Sequence, residues 1–256
     1  MSRSAEVDEV VAPLAEDLRS ALGDRLVGLY LYGSAVSGGF TPGVSDVDLA
    51  AVVSGPVEDL DLALLSSVHD RFVERDPPWR DRLEIVYVSR RSLAQPSNRD
   101  AVAVISPGEP FHITGPSSDW LGNWYLVSQT GVALLGPPPT EMIAPISDDD
   151  FLSAVRRYLD YLVTSDYVGY AVLSACRAVR TLATGSHCSK EEGAAWVRER
   201  LPDWAWVIDA AIEDRLSPGT GYSDGPSRVA AREFVALLAS GRFAVGPTSR
   251  DQRNRR

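Results

Sequence analysis

Asp46 and Asp48 stand one residue apart in the run SDVDLAAVV. Alternate residues of a strand point to one face. The two carboxylates therefore project together, with Val47 directed into the core. Close like charges repel unless a cation lies between them. Hard oxygen ligands of this kind suit Mg²⁺, which takes one or two carboxylates and completes its shell with substrate phosphates. Upstream, Gly33-Ser34 follows directly on the apolar run VGLYLY, residues 27–32. Gly33 has no Cβ, so its backbone can lie close to a bulky anion. Ser34 adds a hydroxyl, and the N–H groups of such a turn form an anion-binding concavity. A third acid, Glu84, is the one acid in the β-rich run RLEIVYV, residues 82–88. Alternation turns Leu83 and Ile85 to the core and Glu84 to the site. A lone Asp-x-Asp is most often a surface loop. Joined to a glycine turn and a third acid on successive strands, it supplies the parts of a phosphoryl or nucleotidyl transfer centre.

Several elements must position these residues. Residues 5–22 carry apolar side chains at helical spacing, with a kink or early break expected at Pro13. Gly38, Gly39, Pro42 and Gly43 punctuate the loop before the acidic pair. Residues 59–74 read as an amphipathic helix whose shared face is Leu60, Leu64, Leu65, Val68 and Phe72, with Asp59 at its start. His69 on that helix is expected to be packed or solvated rather than a ligand, and Trp79 to cover core. Residues 89–115 give a weaker signal. They suggest a short helical turn, a solvated cluster of Arg90, Arg91 and Arg99, and a strand position for His112. A helix over 119–129 and a strand in GVALLGPPP follow, with Trp120, Trp124 and Tyr125 expected in the core.

The proline-rich stretch 137–145 marks a domain boundary, after which the pattern turns helical. Asp148, Asp149 and Asp150 are expected to cap a helix over 151–163. Residues 167–184 are apolar almost all round, so that helix should be central, with Gly185 stopping it. Ser189 and Glu192 form a capping-box pattern opening a helix to Arg200. Asp203 is expected to cap the next helix, which carries Trp204, Trp206, Val207 and Ile212. A last helix spans 227–239. The domains are therefore 1–145 and 146–245, with 246–256 a disordered tail.

A formal charge of −10 argues against nucleic acid as the main partner and suits a small cationic substrate. Cys176 and Cys188 make no disulfide framework. The polar first residues and the lack of a long apolar run point to a cytoplasmic, reduced protein with no membrane partner, expected to be a monomer. The basic residues are arginines except for a single lysine, Lys190.

The order GS, then DxD, then E resembles the DNA polymerase β-like nucleotidyltransferase superfamily. Within it, YGSAVSGGFTPGVSDVDL is similar to the AadA-type aminoglycoside (3'')(9) adenylyltransferases, as is CRAVRTLATG followed by SKEEGAAWVRERLP. The resemblance implies an α+β fold, in which a mixed-sheet nucleotidyltransferase domain precedes an all-α bundle. It implies ATP- and Mg²⁺-dependent transfer of AMP to an antibiotic hydroxyl, typically of streptomycin or spectinomycin. Gly33 and Ser34 would hold the triphosphate. Asp46, Asp48 and Glu84 would hold metal, and Glu84 would also be the general base. Lys190 would reach the phosphates across a cleft, and Glu191 would meet the cationic acceptor, with Asp160 and Asp166 further acids available to a polycation. The chain departs from the family at Val179-Arg180, where an aromatic pair is usual, and between Ser89 and Gly115. Both departures bear on the acceptor more than on ATP. The alternatives are another small molecule or a protein as acceptor, or a non-catalytic nucleotide-binding relative.

Overall fold

A computed structural model of the chain describes residues 5–95, 100–107, 109–115, 120–222 and 224–242. Arg99, Asp119 and the tail expected over 246–256 lie outside the described residues. The chain separates into two compact units, one ending at Phe151 and the other beginning at Leu152.

The first unit runs α1 (Ala5–Leu22), β1 (Leu26–Tyr32), α2 (Ser34–Ser37), β2 (Val47–Val53), α3 (Leu62–Arg75), β3 (Leu83–Ser89), α4 (Arg90–Ala94), β4 (Val102–Ile105), β5 (His112–Thr114), α5 (Trp120–Thr130), β6 (Val132–Leu135) and α6 (Pro139–Met142). The strands form one six-stranded sheet in the order β5-β4-β3-β2-β1-β6. Only β2 and β3 pair in parallel, so the sheet is mixed. A parallel pair needs a crossover, and α3 supplies it.

Leu29, Leu31, Leu49, Ala51, Ile85 and Tyr87 pack on one face with α1 and α3. Tyr30, Tyr32, Ala50, Val52, Val86 and Val88 pack on the other with Trp124 and Val127 of α5 and with Met142. Both faces are covered, which is why the central strands read as unbroken apolar runs. Helix α1 continues through Pro13 without a break, with Val10, Val11, Leu14 and Leu18 buried on either side of it.

Two details of α3 differ from the sequence reading. Its cap is Asp61, whose carboxylate accepts from the Leu64 N–H at 2.9 Å, while Asp59 lies in a short 3-10 turn. The buried face is set by Leu65, Val68, His69 and Phe72, which leaves Leu64 on the flank at 41% exposure. His69 is 2% exposed, with Nε2 at 2.8 Å from the Tyr87 hydroxyl.

The second unit is built from α7 (Asp148–Leu162), whose first residues belong to the unit before it, then α8 (Val168–Thr184), α9 (Lys190–Arg200), α10 (Ala205–Leu216) and α11 (Gly225–Ser240). Ser147 caps α7, its hydroxyl accepting from the Asp150 N–H at 3.1 Å. Asp148, Asp149 and Asp150 fill the first turn instead of the cap, where their charge still suits the helix dipole. Helix α8 is the centre, packed against α9, α10 and α11. Gly193 lets α9 close on it, since a Cβ there would lie 2.5 Å from the Arg177 Cα. The capping box of Ser189 and Glu192 is formed. Asp203 does not cap α10, which follows a 3-10 turn and has no side-chain cap. Trp206 and Ile212 are exposed on that helix, and Val207 and Ile208 are buried in their place. Among the described residues no helix is long and apolar enough to cross a membrane.

Burial holds the His69 imidazole down to about 4, against an ordinary 6.5. His187 is likewise held at about 4, by burial and then by the charges of Arg177 and Arg180. The unfolded chain takes these protons near the ordinary value and the folded chain does not, so stability falls as pH drops from about 6.5 to about 4. At about 1.4 kcal/mol per pH unit, each gap is worth on the order of 3 kcal/mol. His69→Gln cannot take the charge. Melting curves taken across this pH range should show it to be less acid-sensitive than wild type, by the contribution of this one imidazole.

Candidate active site

Tyr32 lies opposite Asp48 on β1–β2, and Asp48 lies opposite Glu84 on β2–β3. The three side chains form one row across the sheet, at the end of the face that carries Tyr30, Ala50 and Val86. Like charges placed directly opposite destabilise a sheet. A scaffold that keeps two carboxylates there has another use for them.

Asp46 immediately precedes β2, and its loop is tied down. Thr41 N–H donates to the Ser45 hydroxyl at 2.9 Å. Arg82 Nε and Nη2 both donate to the Ser45 carbonyl, at 2.9 and 2.7 Å. The Arg82 carbonyl accepts from the Val47 N–H at 2.9 Å. The same guanidinium lies 4.2 Å from the Trp79 ring centre and 3.2 Å from Glu6 of α1. Arg82 thus braces the backbone on both sides of Asp46. The sequence offered only an arginine at the mouth of an apolar run.

Gly33 has φ 69° and ψ −147°, a conformation reserved for glycine. A Cβ there would lie 1.9 Å from Asp48 Oδ2, so the carboxylate rests against the Gly33 backbone. The Gly33 carbonyl accepts from the Val36 and Ser37 N–H groups, at 3.3 and 3.1 Å. The expected plain turn is therefore one turn of helix, with Ser34 as its first residue. Ser34 Oγ is buried and has no hydrogen-bond partner among the described residues. A buried hydroxyl left unpaired is costly, and a phosphate oxygen would satisfy it.

Tyr32 Oη donates to Glu84 Oε1 at 3.3 Å, and Ser106 Oγ donates to Glu84 Oε2 at 3.5 Å. Tyr32 is 4% exposed. Burial raises its phenol well above the ordinary value, and the charges of Glu84, Asp48 and Asp46 add to that. The hydroxyl therefore keeps its proton and acts as a donor. Neither Tyr32 nor Ser106 stood out in the sequence, where Tyr32 looked like the last residue of an apolar strand.

Among the described residues, no three His, Cys, Asp or Glu side chains close into a metal-holding group by themselves. The donors here are all oxygen. Two carboxylates completed by phosphate oxygens are the usual surroundings of Mg²⁺, so the set fits an ion that arrives with a nucleotide. Arg90 and Arg91 are exposed. His112 is on β5, with β4 between it and β3. Tyr125 stacks on Phe151 at 4.1 Å and donates to Asp148 at 2.7 Å. Trp124 is core.

In the second unit the Lys190 ammonium lies 4.3 Å from the Tyr170 ring centre. Glu191 is ion-paired with Arg215. Asp160 lies 3.8 Å from Arg156, and Asp166 lies 3.3 Å from Arg232. The exposed pairs of Asp160 and Asp166 contribute little and exchange readily, whereas in the Glu191 pair the arginine is partly buried.

Two family models match the chain. The nucleotidyltransferase domain covers residues 13–91, and the aminoglycoside adenylyltransferase C-terminal domain covers residues 141–240. The chain is thus similar to nucleotidyltransferases in its first part and to aminoglycoside adenylyltransferases in its second. Two curated relatives, the aminoglycoside (3'') (9) adenylyltransferases of Klebsiella pneumoniae and Escherichia coli, are each 28% identical over 224 residues, 78% of this chain and 79% of theirs. A crystal structure of spectinomycin adenyltransferase AAD(9) from Enterococcus faecialis with ATP and spectinomycin matches with a TM-score of 0.76 at 18% identity, over 91% of this chain and 99% of that one. At that identity the likeness is one of fold, a mixed-sheet nucleotidyltransferase domain followed by a helical region.

Gly33→Ala must displace Asp48 and adopt strained backbone, at about 1–3 kcal/mol of stability. Nucleotide-dependent turnover should fall about 100-fold, since small misplacements at a reacting centre have effects of that size. Steady-state kinetics set beside melting curves will separate the two effects.

Proposed function

We propose that the chain transfers AMP from ATP to a hydroxyl of a small cationic antibiotic of the streptomycin or spectinomycin type. The observation that carries this reading is the row of Tyr32, Asp48 and Glu84 laid against the Gly33 turn. The matched family models and the names of the relatives supply the substrate class. The overall acidity of the chain suits a cationic acceptor.

Residues 1–145 carry the nucleotide chemistry in this reading, and residues 146–245 form a helical domain that binds substrate and ATP. Gly33 and Ser34 receive the phosphates, and the unpaired Ser34 hydroxyl gains its missing partner. Asp46 and Asp48, with Glu84 beside them, would hold Mg²⁺, which supplies neutralisation of the charge that builds on the phosphates. Glu84 takes the proton of the acceptor hydroxyl as its oxygen attacks the α-phosphorus. The bond to the β-phosphate oxygen breaks, and pyrophosphate leaves. Lys190, as a point charge on a flexible stem, suits a phosphate. Glu191 exchanges Arg215 for a cationic group of the acceptor. The enzyme works as a monomer in the cytoplasm. A non-catalytic nucleotide binder would have no need of Glu84 beside Asp48.

Transfer is measured with labelled ATP and each antibiotic in turn. Glu84→Gln should lower kcat by about 10²–10⁴-fold, and near wild-type turnover would rule out its role as base. Asp48→Ala should abolish Mg²⁺-dependent transfer. A susceptible host expressing the gene should gain resistance to streptomycin, spectinomycin or both. Resistance to neither, together with no ATP consumption on either, would reject the acceptor class.

A further inference from the structure

We propose that Tyr32 and Ser106 are positioning residues that hold the Glu84 carboxylate, one hydroxyl on each oxygen, in the orientation its role requires. The inference rests on Glu84 being the base. It adds what fixes that base in place.

The geometry of the sheet makes the Tyr32 contact unusual. Tyr32 and Glu84 are not on neighbouring strands, because β2 runs between β1 and β3. Strands are spaced about 4.8 Å apart, so their backbones are about 10 Å apart across the sheet. The two side chains lean towards each other past Asp48, which stands opposite both. Serine or threonine at position 32 would fall short of Glu84, and phenylalanine would reach it with nothing to donate. Ser106 approaches from the other side, just after β4, the strand that pairs with β3. Glu84 is thus held from both flanks of its own strand.

A glutamate has freely rotating bonds and a negatively charged neighbour in Asp48. Repulsion between the two would swing the free end of Glu84 away from the row. A hydroxyl donor on each carboxylate oxygen opposes that swing and fixes the plane of the group. A carboxylate oxygen has two lone pairs, so a donor on each does not by itself prevent proton acceptance.

The test compares Tyr32→Phe, Ser106→Ala, the double variant and Glu84→Gln in the full chain. Tyr32→Phe removes one oxygen atom and preserves the ring in its buried slot. We expect kcat to fall about 10- to 100-fold in Tyr32→Phe and by less in Ser106→Ala, with the KM for ATP and the melting temperature nearly unchanged. Adding Tyr32→Phe to Glu84→Gln should cause no further loss. Crystals of the ligand-free proteins give a readout independent of turnover. Glu84 should occupy one conformer in wild type and leave it in the double variant. An unmoved Glu84 in the double variant would overturn the proposal, as would full kcat in Tyr32→Phe while Glu84→Gln is inactive. An active Glu84→Gln would instead sink the base assignment itself.

Discussion

Two negative charges, on Asp48 and Glu84, sit side by side on parallel strands, and the first unit is arranged around that conflict. The sheet is apolar on both faces until it reaches this row. Helices α1 and α3 on one side and α5 on the other supply the burial that holds β1, β2 and β3 in register. Buried apolar area contributes about 25 cal/mol per Å², so such a core can carry a local electrostatic cost of a few kcal/mol. The acids are left at the strand ends, half-buried, where a cation and phosphates can reach them.

Helix α1 also bears directly on the site. Glu6, in its first turn, pairs with Arg82, which holds the Ser45 carbonyl and lies over Trp79. Position is thereby passed from the back of the sheet to the loop that delivers Asp46. In the second unit, the candidate residues Lys190 and Glu191 open a helix whose start is fixed by the capping box at Ser189 and whose approach to α8 depends on Gly193.

Much of this was legible in the chain. The strand before Gly33 and the strands carrying Asp48 and Glu84 could be placed because unbroken apolar runs and glycine punctuation are local signals. The helices of the second half were equally plain, since their apolar periodicity spans many residues. Helix starts were less so. Asp59, Asp203 and the acids at 148–150 all look like caps, yet Asp61 and Ser147 do the capping, and α10 starts from a 3-10 turn with no side-chain cap. Several polar residues stand near each start, and tertiary packing selects among them. The bracing by Arg82 and the contacts of Tyr32 and Ser106 with Glu84 were not legible. Each joins residues far apart in the chain, and nothing in a tyrosine that ends an apolar run reveals what lies two strands away.

The parallel pairing of β2 with β3 has a consequence for how the protein matures. Antiparallel neighbours such as β1 and β2 can zip together from a short connection, but β3 reaches its place only after α3 has crossed the sheet and docked. Closing that long loop precedes any reward from the contacts it brings, which makes such steps slow. Asp48 and Glu84 are therefore strangers in a nascent chain. A molecule that has formed only its first hairpin already owns the glycine bend and both aspartates, yet the row is incomplete, because Glu84 has not arrived.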